Sequence, residues 1–123
     1  MSMLFFKAYF MLIRFDLSTK LGNFASLYER IRKYPTGPNR ALLGADRICL
    51  AVDLASIWYC KEVRCLQRSA VATCLLRKYG VQAHLVFGAQ QLPFRAHAWV
   101  EVDGQVVNDV PYVREMYAEL DRC

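Results

Sequence analysis

The sequence predicts an α+β fold, N-terminal helices followed by a small antiparallel sheet, and three observations carry it. Apolar residues recur at helical spacing up to about residue 80. Gly80 then follows Lys78 and Tyr79, as a glycine that closes a helix does. Beyond it the pattern changes to short runs rich in β-formers, with an Asp103-Gly104 turn signal between the last two.

The first segment, Met1 to Phe15, is strongly apolar. Its aromatics (Phe5, Phe6, Tyr9, Phe10) read as a core helix buried on most sides, with a partner-docking surface as the alternative. After Asn23, a suitable N-cap, Phe24, Leu27, Tyr28 and Ile31 recur at helical spacing until Tyr34, because Pro35 cannot continue a helix. The cluster Pro35-Thr36-Gly37-Pro38-Asn39 is a loop. Asn39 caps a longer helix to about Tyr59, with Leu42, Leu43, Ile48, Val52, Ala55 and Trp58 inward. A fourth helix opens at Cys65. Val81 to Gly88, Ala96 to Val102 and Gln105 to Asp109 read as strands, and Pro111 to Arg122 returns to helical spacing. The length allows one hydrophobic core, so residues 1–49 form a helical region of the same domain as the 50–123 core that holds the candidate site.

Composition narrows the function. The chain carries a formal net charge of +5, yet its 16 Lys and Arg residues are scattered and form no stripe interleaved with aromatics. Nucleic acid is therefore not an expected partner, whereas an acidic peptide or partner suits the surface. The 5 cysteines form no C-x-x-C pair and are odd in number, which argues for reduced thiols in a cytoplasmic protein rather than disulfides, a zinc site or another cofactor. Cys49 and Cys74 fit apolar helical patterns as small core residues. The uncharged run Ala8 to Ile13 is too short to span a bilayer, and no small-residue cleavage site follows it, so a membrane span and a secretory signal are not expected.

The candidate site is Cys65, His97 and Asp109, in that order. A thiol at a helix N-terminus meets unpaired N–H groups and the positive dipole end, with Lys61, Arg64 and Arg68 nearby, and all of these favour thiolate. His97 can hold that thiolate and protonate a leaving amine, and Asp109 can fix the imidazole tautomer. Tyr59 and Gln67 are near enough in sequence to supply a second oxyanion donor. The last turn governs the geometry. A three-residue loop, Val102-Asp103-Gly104, pairs Glu101 with Gln105 and sets His97 opposite Asp109. A two-residue Asp103-Gly104 turn slips the register by one and directs Asp109 away from His97. The sequence permits both turns, and the triad is expected from the first.

The segments Cys65-Leu66-Gln67-Arg68-Ser69-Ala70, Leu75-Leu76-Arg77-Lys78-Tyr79-Gly80 and Pro93-Phe94-Arg95-Ala96-His97-Ala98-Trp99-Val100-Glu101, with the Asp-Gly turn, resemble the transglutaminase-like leader peptidases of lasso-peptide biosynthesis, the maturation B family also known from microcin processing. The resemblance covers about Leu50 to Asp109. It implies a papain/transglutaminase-like fold and a bacterial cytoplasmic cysteine protease with Cys65, His97 and Asp109 as its triad. The length resembles the stand-alone protease half of a split system. The implied partners are the precursor peptide, a separate leader-recognition protein and an asparagine-synthetase-like macrolactam cyclase.

Overall fold

The computed structural model describes residues 2–22, 24–37, 44–60, 63–91 and 93–123. The expected caps Asn23 and Asn39, the inward positions Leu42 and Leu43, and Lys61 lie outside the described residues. The element order is α1 (Ser2–Leu21), α2 (Phe24–Arg32), α3 (Ala45–Trp58), α4 (Cys65–Lys78), β1 (Ala83–Gln90), β2 (Arg95–Val102), β3 (Gln105–Val106), α5 (Val113–Met116) and β4 (Ala118–Arg122). The four strands form an antiparallel sheet in the order β3-β2-β1-β4. This is the α+β architecture the residues predict, but α1 is not the core helix buried on most sides that its aromatics suggest, since Phe6 and Phe10 are 62 and 67% exposed, and two further corrections follow.

The first is at the C-terminus, where helical spacing from Pro111 to Arg122 yields only the single turn α5 before β4. Leu85 and Cys123 exchange both backbone hydrogen bonds, at 3.0 and 2.9 Å. The unpaired edge of β1 thus recruits the segment as a strand, because a buried sheet edge leaves its N–H and C=O groups unsatisfied. The second is Trp58, expected inward but 72% exposed at the end of α3. The inward side of that helix is Ile48, Cys49, Ala51, Val52 and Ala55.

One face of the sheet carries the main core. Ala83 and Val100 join Leu4, Ala8 and Leu12 of α1, Ile48 and Val52 of α3, and Val71, Leu75 and Leu76 of α4. Leu85 and Ala98 continue that face against Ala70, Leu27 and Ile31. The alternate residues Val86 and Trp99 project to the other face, where Val113 buries them. Arg77 is buried at the end of α4 without a carboxylate partner among the described residues. Its guanidinium instead donates to the carbonyls of Ala83, Ile31 and Tyr34 at 2.9, 2.6 and 3.3 Å, tying α4 to β1 and to the carbonyl-rich end of α2. No helix of the described residues is long and apolar enough to cross a membrane.

Candidate active site

The final hairpin departs from the expected three-residue loop. Val102 pairs with Gln105 and Glu101 with Val106, so the connection is the two-residue turn Asp103-Gly104, with positive φ at both residues (52° and 75°). That is the primed turn whose twist suits a hairpin, and Asp-Gly is a pair that populates it. Continued regularly, this register would direct Asp109 away from His97. It does not continue. β3 stops at Val106, Val107 makes one more bond to the Val100 carbonyl at 3.0 Å, and the chain then bends out of the ladder.

Asn108 takes over the ladder with its side chain. Its Oδ1 accepts from the Val100 N–H at 2.8 Å, and its Nδ2 donates to Ser69 Oγ at 2.9 Å. Ser69 Oγ in turn donates to the Ala98 carbonyl at 3.0 Å. The edge of β2 that β3 has vacated is thereby satisfied by two side chains, one from the outgoing loop and one from α4. Released from the ladder, Asp109 places Oδ2 2.6 Å from His97 Nε2, while its Oδ1 accepts from the Val110 N–H at 2.7 Å. His97 and Asp109 are therefore bonded for a reason other than the expected register.

Cys65 opens α4, one turn ahead of Ser69. Arg77 binds the carbonyl of Ala83, whose strand partner is Val102, and Ser69 binds Ala98, so α4 and β2 run alongside in the same direction. The helix advances ~12 Å over that interval and the strand ~13 Å. Another ~6 Å back along the helix sets Cys65 at the level of Ala96 and His97 along β2, with the His97 side chain leaving the strand on the Trp99 face and not on the Ala98 and Val100 face that packs against α4. Among the described residues Cys65 makes no hydrogen bond to His97. Because Asp109 occupies Nε2, the imidazole nitrogen left for a thiol is Nδ1.

Cys65 is partly buried and lines an open cleft of ≈ 720 Å³ with Asp53, Ser56, Ile57, Tyr59, Val63 and Arg68. Among the described residues no side chain caps α4, whose N-cap is Arg64, and its first-turn N–H groups face no side-chain acceptor there. Arg68 lies 3.4 Å from Asp53, and its charge is therefore partly compensated. Burial raises the Asp53 carboxyl above its ordinary value, Arg68 opposes this, and the charge of Asp109 adds to the rise. Two of the other thiols lie deeper: burial pushes Cys49 up to about 12 and Cys74 up to about 11. Both are poor nucleophiles at neutral pH. Tyr59 and Gln67 do not serve as expected. Tyr59 Oη donates to Asp16 at 2.6 Å, and Gln67 is buried with its amide on the Leu12 carbonyl at 3.2 Å.

Side chains that the sequence reading did not single out hold the histidine. His97, Trp99 and Glu101 alternate onto one face of β2. Glu101 is 1% exposed and accepts from Trp99 Nε1 at 2.9 Å, with Arg122 3.1 Å and Arg114 3.5 Å away. Trp99 and Tyr117 lie against the imidazole with ring centroids 6.1 and 5.2 Å from it. Gly88, paired across from His97, makes room for them: a Cβ there would sit 2.6 Å from Trp99 Cη2 and 2.9 Å from Tyr117 Cβ. The alternation His97-x-Trp99-x-Glu101, with a carboxylate on a buried strand, was the available signal. Among the described residues no group of three His, Cys, Asp or Glu side chains is placed to hold a metal ion.

Comparison with known proteins agrees with this architecture. The family model of the transglutaminase-like superfamily matches residues 11–122. The microcin J25-processing protein McjB of Escherichia coli is 45% identical over 51 residues, which is 42% of this chain and 24% of that protein. The matched stretch thus spans about a quarter of the length of that relative. No solved structure matches the chain. A helix that opens at a cysteine and packs on an antiparallel sheet carrying a histidine–aspartate pair, with the family model matched over nearly the whole length, identifies the chain as a member of the transglutaminase-like superfamily.

Proposed function

We propose that this chain is a cysteine endopeptidase that removes the leader from a ribosomally made lasso-peptide precursor. The observation that carries the proposal is the His97–Asp109 bond of 2.6 Å, in a chain whose Cys65 opens α4 on an open cleft. In this reading the Cys65 thiolate attacks the scissile carbonyl, and N–H groups of the first turn of α4 receive the oxyanion. The imidazolium gives its Nδ1 proton to the departing amine, leaving a thioester on Cys65. His97 then deprotonates water, which attacks the thioester and releases the leader carboxylate while the thiol is restored. Asp109 holds the tautomer with Nε2–H and supports the positive form of the ring.

Likeness to a microcin-processing protein supports the substrate class. The partners in this proposal are a separate leader-recognition protein and an asparagine-synthetase-like cyclase that closes the macrolactam on the freed N-terminus, all in the bacterial cytoplasm. The test is mass spectrometry of a precursor encoded beside this gene, incubated with the protein well below saturation, with and without the recognition protein. Release of the intact leader, faster when the recognition protein raises its effective concentration near Cys65, is the expected result. An unchanged precursor in both incubations contradicts the proposal, and equal rates contradict the split arrangement.

A further inference from the structure

α1 is apolar on two sides. Leu4, Ala8 and Leu12 are buried in the core, yet Met3, Phe6, Phe10, Ile13 and Leu17 are exposed at 69, 62, 67, 37 and 52%. Core packing explains the first set and not the second. The exposed residues are spaced 3, 4, 3 and 4 apart, an unbroken heptad seam over two repeats. A seam of that period is complementary to another helix of the same period, whose side chains would enter the holes between Phe6, Phe10 and Ile13. It is narrower than the apolar face of a helix that lies in a membrane surface.

The flanks give the sign of the partner. Arg14 and Lys7 occupy one flank, with Lys7 Nζ already donating to Tyr79 Oη at 2.7 Å, so the exposed cations are Arg14 and Lys20 at the end of the seam. Asp16, on the other flank, is already bonded by Tyr59 Oη at 2.6 Å. A second copy of the chain is a poor match. Antiparallel pairing would bring Lys7 and Arg14 of the two copies together, and parallel pairing would set Arg14 against Tyr9, so neither offers a complementary charge. We infer that the outer seam of α1 is a docking site for an amphipathic helix of a different protein, one with apolar a and d positions and acidic flanks. The inference is independent of the proposed peptidase activity.

The probe is a synthetic peptide of three heptads with Leu at a and d and Glu at e and g, whose like charges keep it from pairing with itself. Its binding to the full chain is followed by fluorescence anisotropy. Wild-type protein is expected to bind it at least tenfold more tightly than the Phe6→Ser/Phe10→Ser variant, whose fold is checked by circular dichroism. It should also prefer this peptide at least tenfold over one with Lys at e and g, and Arg14→Glu should shrink that preference. Equal binding by wild type and the double variant overturns the inference. So does sedimentation showing self-association that the double variant abolishes, which would make a second copy the occupant. Binding to anionic phosphatidylglycerol vesicles that the double variant abolishes, without peptide binding, would assign the seam to a lipid surface and also overturn it.

Discussion

Asn108 Nδ2 donates to Ser69 Oγ across 2.9 Å, and this bond fastens the residue beside Asp109 to the residue one turn beyond Cys65. Helix, strand edge and outgoing loop meet there, because Ser69 also binds the Ala98 carbonyl and Asn108 the Val100 N–H. Asn108→Ala should therefore leave a buried N–H unsatisfied and lower stability by about 1–3 kcal/mol. Denaturant midpoints measure that loss. Turnover should fall further than the unfolded fraction explains, because Asp109 loses its anchor; unchanged turnover per folded molecule would show that Asp109 is held independently.

Asp109→Asn should keep the fold and reduce kcat by on the order of 10⁴-fold, the effect of replacing the orienting aspartate in a serine-protease triad. An amide can donate to Nε2 and so favour the tautomer with its proton on Nδ1. Single-turnover cleavage with a saturating precursor checks this, and a loss below tenfold would remove Asp109 from the catalytic set.

Gly88→Ala should disturb the histidine without touching it. The added Cβ, at 2.6 Å from Trp99 Cη2 and 2.9 Å from Tyr117 Cβ, must displace a ring that lies against His97. Overpacking of this kind costs about 1–3 kcal/mol. The thermal midpoint and kcat should both fall, while Gly44→Ala, at a site with nothing within 4 Å of a Cβ, should leave kcat unchanged.

The buried thiols predict alkaline weakness. Cys49 and Cys74 are raised from 9.0 to about 12 and about 11, chiefly by burial. A raised thiol binds its proton more tightly in the folded state, so its stabilising share is complete below 9.0 and is lost as pH rises toward the folded value. The thermal midpoint should decline between pH 9 and 11, less steeply in Cys49→Ala than in wild type. Native iodoacetamide labelling at neutral pH should spare Cys49, and its rapid modification would refute the burial argument.

The helices were legible because their apolar spacing is local, and so was the order Cys65, His97, Asp109. The route by which Asp109 reaches His97 was not. A primed Asp103-Gly104 turn sets one register, and the bend after Val107 undoes its consequence, because Asn108 replaces backbone with side chain in the ladder. That exchange depends on Ser69, far away in sequence. The strand β4 was hidden for a related reason: its spacing is helical, and pairing with the open edge of β1 overrides it. Trp58 misled because an amphipathic count cannot tell a core position from a position beside a cleft at a helix end.

If Cys65 is the nucleophile of a leader peptidase, intact-mass analysis of a precursor incubated with wild type and with Cys65→Ala separates the two proteins. Wild type should convert the precursor to leader and core peptide, while Cys65→Ala, folded by circular dichroism, should leave it whole. Wild-type turnover by Cys65→Ala would contradict that role.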